Sequence, residues 1–112
     1  MKVYRYEYDI EGEYKGILVG LDDIFDDTNE LLSAAFVFER YLPEPNIESM
    51  INTKSYFTEK GNRKFSKAIR TIKKISENHG IKVITIIKDY NDLENIVYED
   101  KYQVVISSTT SS

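Results

Sequence analysis

Three groups of residues in this chain have the types and spacing that chemistry needs. Asp22, Asp23, Asp26, Asp27 and Glu30 set carboxylates at i, i+4 and i+8 along one flank of a predicted helix. Such a row can attract a hard cation or present a line of negative charge to a basic groove. It lacks the Asp-x-Asp-x-Asp-Gly loop and closing glutamate of a calcium hand, so no metal is expected there. The second group is basic: Lys60, Arg63, Lys64, Lys67, Arg70, Lys73 and Lys74. It suits phosphate or an acidic protein. Its own segment adds no aromatic side chain on the charged face, so it offers no platform for stacked bases. The third group is dispersed: Arg5 between Tyr4 and Tyr6, and Glu99 within Tyr-Glu-Asp. Ordinary solvated helix and strand faces account for all three groups without any ligand.

The basic group rides on the clearest helix of the chain, Thr58 to Gly80. Phe65, Ala68, Ile69, Ile72 and Ile75 fall on one face and the cations on the other. Thr58 is the expected N-cap, although Glu59 comes too early for a capping box. His79 and Gly80 close it, the glycine in the left-handed C′ position. The one histidine thus serves the helix end rather than catalysis.

The acidic group rides on a second amphipathic helix expected over Leu21–Phe36. Before it, Lys2–Asp9 alternates, with Tyr4, Tyr6 and Tyr8 on one face and Val3, Arg5 and Glu7 on the other. That is the period of a strand with one face on a core. Glu11-Gly12-Glu13 is a turn signal, and Tyr14–Val19 a second strand, with Gly16 marking a bulge or close backbone approach. Pro43 and Pro45 exclude a regular helix between the two helices. The segment reads as extended over Ala35–Tyr41, a loop at Leu42–Asn46 and a turn of helix at Ile47–Ile51. Ile81–Lys88 is the strongest strand, rich enough in β-branched residues to be central and buried on both faces. Asp89–Asn95 is a loop or brief helical turn. Ile96–Ile106 is either one long strand or a hairpin about Glu99-Asp100, and the strand, kinked or bulged near Glu99, is the preferred reading. The order ββα-αββ predicts an α+β fold: a two-layer sandwich of four to five strands, mixed or antiparallel, with two helices on one face. Residues 1–106 form a single domain, and 107–112 a disordered tail.

The chain has 112 residues, no cysteine and a net charge of −4. Thiol catalysis and disulfides are excluded. The N-terminus lacks an apolar signal region, and no window approaches a membrane span. A cytoplasmic protein of a bacterial host cell is expected. Residues 1–56 carry five Lys/Arg against twelve Asp/Glu, whereas 57–112 carry ten against seven. The acidic total makes direct nucleic-acid binding unfavourable as a general property. No phosphate-cradling glycine loop, dinucleotide fingerprint, nucleophile elbow or zinc ligand set is present.

Arg5 on an N-terminal strand, Glu99 on a C-terminal strand and tyrosines between them resemble ADP-ribosyltransferase-like enzymes. That resemblance implies an arginine that holds a dinucleotide and a glutamate that stabilises an oxocarbenium ion. The Ser-Thr-Ser-type strand of those enzymes is missing. Separately, VYRYEYD…GEYKG and IVYEDKYQVVI resemble small proteins of phages and mobile elements in low-GC Gram-positive bacteria. Several of these resemble anti-CRISPR inhibitors of host defence, and the implied partner is a larger host protein with a nucleic-acid-binding groove. The leading expectation is a non-enzymatic protein without cofactor that binds through Asp22, Asp23, Asp26, Asp27 and Glu30. The alternatives are a dispersed enzyme site at Arg5 and Glu99, or nucleic-acid binding through Lys60, Arg63, Lys64, Lys67, Arg70 and Lys74. A homodimer pairing acidic with basic helices is open to all three.

Overall fold

A computed structural model of the chain describes residues 1–17, 29–43 and 52–107. The elements in order are β1 (Lys2–Ile10), β2 (Glu13–Gly16), α1 (Asn29–Tyr41), β3 (Thr53–Phe57), α2 (Glu59–Lys64), α3 (Ser66–Asn78), β4 (Lys82–Asp89), a 3-10 turn (Tyr90–Asp92), β5 (Ile96–Glu99) and β6 (Gln103–Ser107). The fold is α+β. Every strand pair is antiparallel, and six strands form one curled sheet.

The expected β1–β2 hairpin is present, with Glu11 and Gly12 both at positive φ in its turn. β1 has two edges but three partners. β4 takes one edge from Lys2 to Asp9. The other edge is divided: β3 pairs only at Tyr4, and β2 pairs from Glu7 to Ile10. At the fork the Arg5 guanidinium replaces backbone pairing and donates from Nη1 to the Ser55 carbonyl at 3.1 Å. A Cβ on Gly16 would come within 3.1 Å of that guanidinium, which explains the glycine: a side chain approaches, rather than a backbone.

Tyr6 and Tyr8 face the helices, as the alternation predicts. They share one core with Phe57, Phe65, Ala68, Ile69, Ile72 and Ile75, and with Ala34 and Phe38 of α1. The opposite face is not simply solvated. Val3, Tyr56 and Val104 are buried there against Ile86, Tyr90, Leu93 and Ile106. β1 is therefore a central strand with both faces covered.

Five expectations need correction. Ala35–Tyr41 is helical rather than extended, because Ala34 and Phe38 one turn apart both reach the core, and the helix runs on until Pro43 is near. Thr53–Phe57 is a strand that no sequence pattern singled out; Tyr56 and Phe57 bury on opposite faces of it. Thr58 to Gly80 holds two helices rather than one, bent at Phe65, whose ring is fully buried and stacks on Phe38 at 5.0 Å. Ile96–Ile106 is a hairpin rather than a kinked strand. β4 is paired with β1 alone among the described residues, so it is not central, and Ile87 is 54% exposed. Its β-branched run reports strand propensity, not position in the sheet. Residues 18–28, 44–51 and 108–112 lie outside the described residues, which includes the first half of the expected acidic helix, the expected turn at Ile47–Ile51 and most of the tail. Ser107 ends β6.

Thr58 is the N-cap of α2, its hydroxyl accepting from the Gly61 N–H at 3.0 Å and donating to the Lys101 carbonyl at 2.7 Å. A Cβ on Gly61 would overlap the Tyr102 carbonyl and lie 3.0 Å from its Cα. In an open helix Gly→Ala adds up to about 1 kcal/mol of stability. Here overpacking against backbone, typically about 1–3 kcal/mol, decides the sign. Gly61→Ala is expected to lower urea stability by about 2 kcal/mol, and Thr58→Ala by about 1 kcal/mol. A stabilised Gly61→Ala would show that α2 does not sit on this turn.

Candidate functional site

The turn between β5 and β6 is built around Asp100. Its Oδ1 accepts from the N–H groups of Tyr102 at 2.7 Å and Gln103 at 3.1 Å. Its Oδ2 accepts from the Tyr98 hydroxyl at 2.7 Å and the Gln103 amide at 3.2 Å. Burial raises the carboxyl's pKa, but the bonds from Tyr98, Tyr102 and Gln103 favour the charged form and hold it below its ordinary value. The same bond pushes the Tyr98 phenol up. These bonds hold Tyr102, two residues on, in front of α2, where Thr58 N–H donates to its carbonyl at 3.0 Å.

Around Tyr102 the fold gathers cations and aromatic rings from three elements. Lys64 of α2 places Nζ 5.2 Å from the Tyr102 ring centre and 5.2 Å from that of Tyr41, at the end of α1. Lys101 approaches Tyr102 at 5.1 Å. Arg40 lies 5.7 Å from Tyr41 and 5.9 Å from Phe36. Phe36 and Tyr41 are 55% and 50% exposed, so their rings face water while touching cations. Burial pushes the Tyr102 phenol up, but Lys101, Lys64 and Lys60 pull harder and leave it below its ordinary value. That shift records a locally positive field. From here Lys67, Arg70 and Lys74 continue the exposed basic face along α3.

The absence of stacking platforms on the basic face, expected from the helix alone, is therefore corrected. The rings that approach Lys64 come from residues 41 and 102, too distant in sequence to show as one motif. Only the adjacent pair Lys101-Tyr102 was a local signal.

Next to this surface lies a cleft of about 310 Å³ between the start of α2 and the β5–β6 turn. Lys60, Arg63 and Lys101 line it, with Glu59, Glu99 and Asp100. Lys60 and Lys101 also act on Tyr102, so cleft and aromatic surface are continuous.

The dispersed pair fares differently. Arg5 and Glu99 share the sheet face opposite the helices, since Arg5 pairs with Ile86, and Glu99 with Val104. Three strand spacings, about 14 Å, separate their backbones. Buried Tyr56 and Val104 fill the face between them. Arg5 donates from Nε to Glu7 Oε2 at 2.7 Å, and the two side chains are only 14% and 9% exposed. Glu99 acts on the Tyr90 hydroxyl and raises that phenol's pKa. Arg5 is thus occupied by the fork, while Glu99 faces the basic cleft. Of the acidic row, Asp22, Asp23, Asp26 and Asp27 lie outside the described residues, and only the backbone of Glu30 is described, within α1. His79 caps α3, and Gly80 follows at φ +76°, as expected.

Two outcomes follow from these partners. Removing one member of a buried pair costs about 3 kcal/mol, because the other charge is left desolvated. Glu7→Ala or Arg5→Ala should do so in urea unfolding, while Arg5→Met with Glu7→Leu should cost less than either. Asp100, with its folded pKa depressed, stabilises above its ordinary pKa of 3.8 and loses that contribution as pH falls through the lower folded value. Asp100→Asn should be less stable at neutral pH and show a shallower loss of stability below about pH 4.

No helix among the described residues is long and apolar enough to cross a membrane. Comparison with protein families, with curated proteins and with solved structures finds no match to this chain.

Proposed function

We propose that this is a non-enzymatic binding protein whose contact surface is the basic and aromatic patch around Tyr102, and that its ligand is single-stranded nucleic acid. The observation that carries the reading is Lys64, held between the rings of Tyr41 and Tyr102. A single strand needs a positive track for its phosphates and ring faces for its bases. Lys64, Lys67, Arg70 and Lys74 supply the track; Tyr41 and Tyr102 supply the faces. A duplex keeps its bases stacked inside and would use the cations alone.

The net charge of −4 does not oppose this locally. At physiological salt the Debye length is about 8 Å, so a strand on α3 responds chiefly to charges within that reach. Within that reach Lys101, Lys64 and Lys60 act on Tyr102 and favour its ionised form.

The competing proposal is an anti-CRISPR-like inhibitor whose row Asp22, Asp23, Asp26, Asp27 and Glu30 enters a basic groove of a host protein. No described side chain bears on it. An ADP-ribosyltransferase-like site at Arg5 and Glu99 is disfavoured by the occupied guanidinium and the packed face between them.

Fluorescence anisotropy with a short oligodeoxythymidylate separates these. Binding should weaken as salt rises, and each of Lys64→Ala and Arg70→Ala should reduce the slope of log K against log salt by about 0.7. Tyr41→Ala should weaken binding about tenfold with the slope unchanged. Binding that ignores salt, or a matched duplex bound more tightly than the single strand, would remove this reading. Charge reversal at Asp22, Asp23, Asp26 and Asp27 should leave oligonucleotide binding intact; under the inhibitor proposal it abolishes capture of a host protein.

A further inference from the structure

One buried side chain links the two segments whose rings flank Lys64. Gln103 is 3% exposed, yet it carries an amide rather than an aliphatic group. It opposes Phe57 across the β3–β6 pair, so its side chain shares the sheet face that carries the helices. There its Nε2 donates to the Pro43 carbonyl at 2.5 Å and to Asp100 Oδ2 at 3.2 Å. Its backbone N–H also donates to Asp100 Oδ1 at 3.1 Å. The amide is thus anchored in the β5–β6 turn and reaches the chain that leaves α1, 60 residues away in sequence. A glutamine nitrogen has two hydrogens, one for each of these acceptors.

α1 ends at Tyr41, and the Leu42 N–H closes its last turn on the Phe38 carbonyl at 2.9 Å. Last turns fray, because their carbonyls lack intrahelical partners. Phe38 holds α1 in the core one turn earlier, while Tyr41 is half exposed. Gln103 ties down the chain just beyond it. Tyr102 is held by the same carboxylate, its N–H donating to Asp100 Oδ1 at 2.7 Å. We infer that Gln103 is a positioning residue: it fastens the end of α1 to the β5–β6 turn and so sets where Tyr41 and Tyr102 stand on either side of Lys64. What the rings receive rests on the single-strand reading. A base that meets rings already in place need not order them, and ordering one free side chain weakens binding roughly threefold to tenfold.

The test is a double-mutant cycle on the full chain, read by anisotropy with oligodeoxythymidylate. Gln103→Met should weaken binding about fivefold and leave the salt slope unchanged, since no phosphate contact is lost. In a Tyr41→Ala background the same substitution should change affinity less than about twofold, because the ring it positions is gone. Should Gln103→Met fail to fold, Gln103→Asn, polar but one bond shorter, should give the same pattern. Equal weakening in both backgrounds, or none in either, overturns the inference and leaves single-strand binding standing. Native-state hydrogen exchange reads the tether without any ligand: the Leu42 N–H should exchange about tenfold faster in the variant, relative to the Ile72 N–H of α3. If the unsubstituted chain binds no oligonucleotide, the single-strand reading falls. Faster Leu42 exchange then still supports the tether, and unchanged exchange overturns it.

Discussion

Helix α2 lies against the β5–β6 turn only because residue 61 has no side chain. The Tyr102 backbone occupies the space a Cβ would need. Thr58 then ties the two segments together through its backbone and hydroxyl, and Asp100 holds the turn in shape from the other side. Everything proposed for function depends on that approach. Without it Lys64 would not meet Tyr102, and the cleft shared by Lys60, Arg63 and Lys101 would open into a flat surface. Packing of Phe65 against Phe38, Phe57 and Tyr102 carries the same junction into the core. The bend at Phe65 lets α2 serve the turn while α3 covers the sheet.

The second constraint is the division of one edge of β1. Two partners on one edge leave a stretch without a backbone ladder, and backbone groups there need other partners. Arg5 supplies one by donating to Ser55, and Glu7 keeps the guanidinium neutralised. A buried ion pair adds little net stability compared with apolar packing. Its value here is geometric: a long cationic side chain bridges a gap that aliphatic groups cannot hydrogen-bond. This gives Arg5 a reason to exist that owes nothing to catalysis.

Local signals were read well from the sequence, and long-range ones were not. Thr58 as N-cap, Gly80 at positive φ, the β1–β2 hairpin and the apolar stripe Phe65 to Ile75 each depend on residues within a turn or two of one another. Strand β3 could not be seen because Thr-Lys-Ser-Tyr-Phe has no clean alternation; Tyr56 and Phe57 are both buried, one on each face. β4 was misplaced for the converse reason, since β-branched residues suit an edge and a centre alike. The aromatic half of the candidate site was invisible because α1, α2 and the β5–β6 turn each contribute a fragment too small to be a motif. Only tertiary packing brings Tyr41 within reach of Lys64. Gly61 also gave no warning: a glycine inside a helix reads as a weakness until the neighbour that requires it is known.

Total charge is a poor guide when charges are sorted by element. A sum of −4 describes the field far from the molecule, where screening has already removed most of it. At contact distance Lys101, Lys64 and Lys60 act on Tyr102 and favour its ionised form. A negative ligand would be repelled weakly at long range and held firmly at short range. Such a surface favours slow, specific capture over fast electrostatic steering, because association rates follow the far field and dissociation follows the contacts. A short single strand confined to the patch experiences that contact field more than the far one.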